Sequence, residues 1–293
     1  MKFSIRKCLS LLAAWVVTAV PLHAEEVRVG FRADAPPFSW WSEKPVGEYK
    51  GFLADLCYAA LRGSDFEVVP VRVQAGMRFE MLRKGGANGG VDMLCDPTSI
   101  PLGFLNEFIL SPIVFATGVG YLRKQQVGRI GGDLRVGYLE GTTAQTAVQI
   151  ALQTNAIQVV EGGQLEEVIV PNHFDGVRMV CAGEIEFYFG DLDILRSLKQ
   201  REASWDNVTD SQKLTFSYEA YTLAVNANRP DVALVLQAGL YRAFSNGTVT
   251  AIYDDQFQMR TRSNALQALF ALNGVLPCNG VLEDDPCNAP VGN

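Results

Sequence analysis

The chain has 293 residues, of which 48% are hydrophobic and 19% are charged. This composition allows a folded core of one or two domains and is too poor in charge for a disordered chain. The formal net charge of -7 argues against a nucleic-acid partner, which would need clustered lysine and arginine. Only two histidines, His23 and His173, are present, which excludes a multi-histidine metal centre, and we expect no cofactor.

The first predicted element, residues 1–24, is a cleaved secretory signal. Lys2, Arg6 and Lys7 precede an apolar stretch, and the small Ala24 precedes an acidic start to the mature chain. This order is typical of a signal peptide and predicts a periplasmic protein. The alternative is a membrane anchor, but the apolar stretch is shorter than the roughly 20 residues that a spanning helix needs.

Strands and helices are predicted to alternate along the rest of the chain. The predicted strands cover residues 27–31, 66–73, 91–94, 134–139, 157–160 and 185–189, with a longer β-prone run at 109–122 and an extended segment at 214–225. The predicted helices cover residues 51–62, 78–83, 141–152, 175–182, 191–199, 230–244 and 249–257. Residues 38–41 are predicted to form a loop. This alternation indicates an α/β fold with mostly parallel sheets.

The elements group into two blocks, which predicts two α/β lobes with a ligand cleft between the carboxyl ends of their sheets. We expect lobe 1 to contain residues 25–120 and 222–275, because the last helices can return to the first block. Lobe 2 is expected to contain residues 124–218, with long extended segments crossing between the lobes. Residues 276–293 form a tail that is rich in Pro, Gly, Asp and Asn.

Short motifs spread along the chain carry a resemblance to a known family. In chain order they are VRVGFRADAPPFSW at 27–40, GFLADLC at 51–57, VDMLC at 91–95, LSP at 110–112, GTT at 141–143, GEIEFYFGD at 183–191, SYEAY at 217–221 and GTVTAIY at 247–253. Together they resemble family 3 of the extracellular solute-binding proteins, the periplasmic receptors of polar amino-acid ABC importers. The nearer branch is the acidic-amino-acid receptors.

The resemblance implies a two-lobed, type II-like periplasmic binding protein with hinged lobes and a central cleft. It also implies a monomer that binds a small molecule, namely an amino acid, a derivative or an amine. The implied protein partner is an inner-membrane ABC permease.

The resemblance further implies ligand contacts in the first block. Arg32 occupies a ligand-facing position, and its planar guanidinium suits a carboxylate. The alternative for Arg32 is a surface ion pair with Asp34. Phe38, Trp40 and Phe52 match the apolar wall that family receptors lay against the ligand, and the alternative for all three is plain core packing.

In the second block the implied contacts lie at helix starts. Thr142 and Thr143 begin a helix whose N–H groups and dipole favour a carboxylate, although an ordinary capping role is equally compatible with that position. Asp191 matches the carboxylate that binds the ligand ammonium in the family, and its alternative is an N-cap. His173 matches a ligand-contacting histidine, and its alternative is a structural histidine.

The loop after the VDMLC motif departs from the family pattern. Family members have backbone N–H groups there that hold the ligand carboxylate, and an arginine follows. Here Pro97 lacks an N–H, and Phe104 stands where the arginine is expected. Asp96 adds a negative charge that favours an ammonium, while Thr98 and Ser99 can still donate hydroxyl groups. We therefore expect a small zwitterion or cation rather than an acidic amino acid in the usual pose.

Five cysteines remain after signal cleavage, and an oxidising compartment favours their pairing. The resemblance implies a disulfide between Cys57 and Cys95. Cys278 and Cys287 lie close together in the tail and are predicted to form a local bridge, which leaves Cys181 unpaired.

Three functions remain open at this point. The first is a solute-binding protein that delivers its ligand to an ABC importer, without enzymatic activity. The second is a periplasmic dehydratase-like enzyme on the same scaffold, with Glu219 or His173 as general acid. The third is a ligand sensor or accessory protein that no longer serves transport, which the missing arginine favours.

Overall fold

A computed structural model describes residues 24–43, 47–99, 102–104, 106–124, 132–201, 207–211, 215–258 and 260–274. The predicted signal segment before Ala24 and the predicted Cys278–Cys287 bridge lie outside these residues, so both stay predictions. Among the described helices, none is both long and apolar enough to cross a bilayer.

The described elements confirm a mixed α/β chain. The strands are β1 (Glu25–Phe31), β2 (Asp34–Ala35), β3 (Ser39–Ser42), β4 (Glu48–Lys50), β5 (Phe66–Arg72), β6 (Met93–Leu94), β7 (Phe108–Leu110), β8 (Phe115–Lys124), β9 (Leu134–Leu139), β10 (Leu165–Val170), β11 (Phe187–Asp191), β12 (Val208–Asp210), β13 (Ser217–Tyr221) and β14 (Ala224–Asn226). The helices are α1 (Phe52–Leu61), α2 (Arg78–Lys84), α3 (Ala144–Gln153), α4 (His173–Ala182), α5 (Leu192–Arg201), α6 (Pro230–Ser245), α7 (Thr248–Gln256) and α8 (Asn264–Gly274).

The first lobe is built on a sheet with strand order β5-β1-β6-β14-β7. Strand β1 runs parallel to β5 and β6, whereas β14 returns from late in the chain and runs antiparallel to β6 and β7. Helices α1, α6, α7 and α8 pack together on this lobe. The small sheet β2-β3-β4 lies beside α1. The first lobe therefore draws its strands from both ends of the described chain.

The second lobe is built on a sheet with strand order β10-β9-β11-β8-β12, and β13 also pairs with β8. Helices α3, α4 and α5 pack against this sheet. Strands β8 and β13 are antiparallel, with Phe115 opposite Tyr221 and Val119 opposite Ser217. Strand β8 follows the first-lobe strand β7 in the chain, and β13 precedes the first-lobe strand β14. Strands β8 and β13 therefore carry the backbone between the lobes. The exact lobe boundaries stay a prediction.

Aromatic packing fixes the start of β8 to the first lobe. The Phe115 ring centroid lies 4.8 Å from that of Phe38, 5.2 Å from that of Phe52 and 5.3 Å from that of Phe257. In the same lobe Cys57 and Cys95 form the expected disulfide, with their Cα atoms 6.2 Å apart. Cys181 is the free cysteine of the described chain.

The structure corrects four predictions about secondary structure. Residues 157–160 contain no strand; the strand follows at Leu165–Val170, where Glu166 and Glu167 on the edge strand β10 obscured the apolar pattern. Residues 38–41 are not a loop throughout, because Ser39–Ser42 pairs with β2 and β4.

The 109–122 segment is two strands, β7 and β8, separated by a stretch that contains Pro112, which cannot donate a backbone hydrogen bond. The sheets are also mixed rather than mostly parallel, because β8 and β14 run antiparallel to their neighbours.

Candidate ligand-binding site

A cavity of about 360 Å³ lies between the two lobes and is lined by residues of both. Its volume is at the lower end of small-molecule sites. The predicted site residues that line it are Arg32, Ser99, Thr142, Thr143, His173 and Asp191. The lining also includes Arg78, Phe79, Phe104, Glu219 and Tyr221. The chain segments that carry these residues are far apart in sequence and meet only because the lobes face each other.

Arg32, which directly follows β1, is 2% exposed although it is charged. Its Nε donates to Asp34 Oδ1 at 2.7 Å, and Nη2 lies at the same distance from that oxygen without a well-aligned hydrogen bond. Burial opposes the charge of Arg32, but the adjacent Asp34 carboxylate outweighs it and keeps the pKa of Arg32 raised. Arg32 therefore stays a cation beside the cavity, and Nη2 retains donor capacity.

Arg78 begins α2 and is 3% exposed. Its Nη1 donates to the Ala75 carbonyl and, at 3.1 Å, to the Gly141 carbonyl of the second lobe. Its Nε lies 3.5 Å from Asp96 Oδ2, and neither atom has a hydrogen-bond partner among the described residues. Burial lowers the pKa of Arg78, with Asp96 opposing that effect. A second buried guanidinium thus lines the same cavity, and its Nε makes no hydrogen bond.

The close approach of the lobes beside Arg78 depends on Gly141. This residue has φ +70°, which favours glycine, and a Cβ added there would lie 2.7 Å from Gly76 Cα. A larger residue at this position would push the lobes apart at the edge of the cavity.

Asp34 links the lobes beside His173. Its Oδ1 accepts from Arg32, while Oδ2 accepts the backbone N–H of His173 at 3.1 Å, at the start of α4. The His173 Nδ1 lies 2.8 Å from the Tyr188 hydroxyl. Burial lowers the pKa of His173 to about 4, so its imidazole is neutral at pH 7. His173 therefore contributes a neutral hydrogen-bonding group to the cavity rather than a charge.

Asp191 combines a capping role with a place in the cavity lining. Its Oδ1 accepts the backbone N–H groups of Asp193 at 2.8 Å and Ile194 at 3.0 Å, which caps α5. Its Oδ2 accepts from the Tyr221 hydroxyl at 2.5 Å. Burial raises the pKa of Asp191 to about 7. The two roles predicted for Asp191, helix cap and ligand contact, are therefore compatible with each other.

The threonines at the start of α3 line the cavity next to Gly141. The Thr142 Oγ1 donates to the Leu139 carbonyl at 2.7 Å, which ties it to the end of β9. Thr143 is the residue that precedes α3, and its side chain makes no capping bond. The hydroxyl of Thr143 thus remains uncommitted to the helix start.

Two phenylalanines form a continuous apolar wall on the first lobe. The Phe79 and Phe104 ring centroids lie 4.8 Å apart, and Phe108 lies 5.9 Å from both. The Arg78 Cζ lies 4.6 Å above the Phe79 ring. The guanidinium of Arg78 and the apolar wall are therefore adjacent.

Five predicted ligand contacts lie outside the cavity lining. Phe38 and Phe52 are fully buried in the aromatic cluster around Phe115, and Trp40 lies under Arg201 with the Arg201 Cζ 4.0 Å from its ring. Their ligand roles stay predictions, with the packing alternative now visible for each.

The remaining two, Asp96 and Thr98, lie behind Arg78 and are fully buried. The Thr98 hydroxyl donates to Asp96 Oδ1 at 2.5 Å. Asp96 therefore contacts Arg78 and Thr98 rather than the cavity, and its effect on a ligand would pass through Arg78.

Sequence reasoning missed Phe79 and Tyr221 as lining residues. Phe79 follows Arg78 at the start of α2, and no motif in the sequence singles it out. Tyr221 ends β13, one of the strands that connect the lobes, and that position at the interlobe crossing is the signal that could have identified it.

The chain belongs to the bacterial extracellular solute-binding proteins, family 3, whose family model matches residues 27–259. A search of curated proteins found no match.

Solved structures that resemble the chain are amino-acid-binding proteins. A mutant of the arginine-binding protein ArgBP from T. maritima is 18% identical, with a TM-score of 0.66, covering 80% of this chain and 95% of its own. The arginine-, lysine-, histidine-binding protein ArtJ from Geobacillus stearothermophilus is 18% identical, with a TM-score of 0.65, covering 83% of this chain and 100% of its own.

An ancestral amino-acid-binding protein, described as a precursor of cyclohexadienyl dehydratase, is 20% identical with a TM-score of 0.63, covering 79% of this chain and 95% of its own. At these identities the likeness establishes the two-lobed fold alone.

Proposed function

We propose that the protein is a periplasmic solute-binding protein that captures a small amino-acid-like ligand between its lobes and delivers it to an ABC importer of the inner membrane. The observation that carries the proposal is the interlobe cavity lined by two buried guanidinium groups, Arg32 and Arg78, each of which has one nitrogen without a hydrogen bond. A buried charged donor without a partner is costly, and a ligand carboxylate would supply that partner.

The arginines favour an anionic end of the ligand. A carboxylate that bridges Arg32 Nη2 and the Arg78 side chain would form charge-assisted hydrogen bonds, which are stronger than neutral ones. Thr143 offers an additional hydroxyl from the second lobe. This arrangement takes the place of the family arginine for which Phe104 stands here.

The acidic residues favour an ammonium at the other end. Asp191 and Glu219 both line the cavity and are largely buried. Asp191 already accepts three hydrogen bonds, and Glu219 Oε1 accepts one, from the Ser217 hydroxyl at 2.8 Å. A ligand with both charges, a zwitterion, fits this lining better than a simple amine, because an amine alone would leave Arg32 Nη2 and Arg78 Nε without a hydrogen bond.

Calorimetry on the mature chain tests the proposal, with the twenty amino acids and common polyamines as probes. We expect at least one zwitterion to bind and Arg32→Ala to weaken that binding, whereas Arg178→Ala, on the exposed surface of α4, leaves it unchanged. Tight binding that is indifferent to Arg32→Ala would show that other groups hold the ligand.

Two further measurements separate binding and delivery from the alternatives. A dehydratase-like enzyme would use Glu219 or His173 as general acid, so the bound solute should be recovered with an altered mass. We expect it unchanged after incubation. A sensor or accessory protein would leave uptake intact, so we expect deletion of the gene to abolish uptake of the solute by the host.

A further inference from the structure

The cavity has one strongly polar side and one strongly apolar side on the same lobe. Arg32 and Arg78 both line the cavity, and the charge of Arg32 contributes to lowering the pKa of Arg78. The apolar side begins directly beside Arg78, with the Phe79 ring 4.6 Å from its Cζ. A ligand whose carboxylate meets the arginines must place the rest of its body near these rings.

The apolar side offers no partner for a second charge among the described lining residues. Beyond Phe79 and Phe104 it contains Pro97, which has no N–H, whereas the acidic lining residues Asp191 and Glu219 lie in the second-lobe sheet. Arg83, a cation outside the cavity, has its Cζ 5.1 Å from the Phe104 ring and is ion-paired to Glu107 at 2.6 Å. Arg83 is not part of the lining, so it does not serve a ligand group in the cavity.

Burying a side-chain carboxylate or guanidinium of a ligand against this wall would leave that charge without a partner, which is strongly unfavourable. A flat apolar ring has the opposite effect. It would join the existing aromatic cluster of Phe79, Phe104 and Phe108, where ring pairs 4.8–5.9 Å apart already pack with tilted, stacked and edge-on geometry.

We propose that the solute is an amino-acid-like carboxylate whose side chain is a flat apolar ring, with the carboxylate at Arg32 and Arg78 and the ring on the Phe79–Phe104 wall. This inference rests on the proposed solute-binding function and specifies the ligand class of the same cavity. It predicts weaker binding of arginine and glutamate, because a second charge placed against the Phe79–Phe104 wall would find no partner there.

The test is calorimetry of the mature chain with phenylalanine and tryptophan, compared with leucine, glutamate and arginine. We expect the ring-bearing probes to bind most tightly. Phe104→Ala should weaken their binding by about 10-fold and change leucine binding less, because the lost contact is aromatic. Phe244→Ala is the matched control, since Phe244 is a half-buried phenylalanine of the first lobe that belongs neither to the cavity lining nor to the Phe79–Phe104–Phe108 cluster.

Phe104 is partly exposed, so its truncation should leave the fold intact, and thermal unfolding of each variant checks this. Phe104→Leu provides a second variant that keeps the apolar volume and removes only the ring. If both variants bind the ring-bearing probes as tightly as the parent, the wall is not the recognition surface and the inference is wrong.

The remaining outcomes separate the inference from the proposed function. Preferred binding of glutamate or arginine would overturn the ring inference and leave solute binding standing. If no probe binds, the ring inference is overturned. If, in addition, the protein purified from its host releases no small molecule on denaturation, the proposed function falls with it.

Discussion

The two walls of the cavity use their polar groups differently. On the first lobe, Arg32 Nη2 and Arg78 Nε lack hydrogen-bond partners although both side chains are buried. On the second lobe, Thr142 is bonded to Leu139 and Asp191 caps α5. A group committed to a helix start has less capacity left for a ligand, so the difference indicates that the first lobe supplies most of the charge recognition.

The second-lobe wall contributes mainly by closing on the first. Two contacts join the lobes around the cavity, from the His173 N–H to Asp34 and from Arg78 to the Gly141 carbonyl, and the connecting strand β13 adds the bond from Tyr221 to Asp191. Two of these contacts lie at the proposed carboxylate site, because Asp34 is bonded to Arg32 and Arg78 itself makes the contact with Gly141. A ligand that contacts Arg78 and the second lobe together would favour the arrangement seen here, because it would bind that arrangement more tightly than one with the lobes apart.

The largest expected effect comes from Arg78→Met on the first-lobe wall. This change leaves the fully buried Asp96 without its cation, and breaking a buried ion pair costs about 3–5 kcal/mol. We expect urea unfolding to report a loss of this order and calorimetry to report no ligand binding.

The double variant Arg78→Met/Asp96→Asn separates stability from recognition. Removing the unpaired charge should restore most of the free energy of unfolding, while binding stays lost because the guanidinium is gone. If the double variant recovered binding together with stability, Arg78 would have only a structural role. The first-lobe wall would then no longer differ from the second in charge recognition.

The disulfide provides the next effect. Cys95 directly precedes Asp96, so the bond to Cys57 anchors the backbone behind the first-lobe wall. It joins residues 38 positions apart, which corresponds to roughly 3–4 kcal/mol of stabilisation by loop entropy. Cys57→Ser/Cys95→Ser should lower the free energy of unfolding by about that amount, whereas Cys181→Ser in the second lobe should change it little. An equal loss for both variants would contradict the assigned pairing.

The second-lobe wall is tested by pH. The pKa of Asp191 is raised from 3.8 to about 7 by burial, so the folded state holds a proton that the unfolded state releases between these values. Asp191 therefore makes stability fall as pH rises through that window. The pKa of His173 is lowered from 6.5 to about 4, so this residue makes stability fall as pH drops from 6.5 to 4.

The two residues thus oppose each other, and substitution separates them. Asp191→Asn keeps a capping side chain and should make stability rise more steeply with pH between 4 and 6.5 than in the parent. His173→Gln should shift the slope in the opposite direction. Denaturant midpoints across this pH range measure the slope of stability against pH for each protein. Identical slopes in the parent and the two variants would show that the titration of Asp191 and His173 does not affect stability.

The smallest effect concerns an interlobe contact away from the cavity. The Arg201 Cζ of α5 lies 4.0 Å from the Trp40 ring of the first lobe. A cation–π contact of this kind contributes about 0.5–1 kcal/mol. Arg201→Gln should weaken ligand binding by no more than about fivefold, through less favourable closure, whereas Lys199→Gln serves as a control. A loss as large as that from Arg78→Met would contradict the assignment of recognition to the first-lobe wall.

The sequence predicted helices and strands correctly wherever the local pattern of apolar residues matches the residues that are buried. The apolar face of α1 and the strand β9 were predicted close to their observed bounds because periodicity follows packing there. The edge strand β10 was missed because Glu166 and Glu167 interrupt its apolar pattern. Strand β3 was missed because it is defined by its pairing with β4, which the local sequence does not reveal.

The site was predictable in part for a related reason. Arg32, Thr142 and Asp191 stand where a strand ends or a helix begins, and such positions can be read from sequence order. The burial of Asp96 behind Arg78, and the joining of Phe79 to Phe104, depend on packing between segments separated by about 20 residues of chain. No local pattern encodes either contact.

Native mass spectrometry of the protein purified from its host tests the central claim most directly. The account predicts a bound small carboxylate that is retained by the parent and by the Arg178→Ala variant but is absent from Arg78→Met/Asp96→Asn. A folded parent protein with no bound solute, or a solute that both variants retain equally, would contradict the claim that the arginines of the first lobe hold the ligand between the lobes.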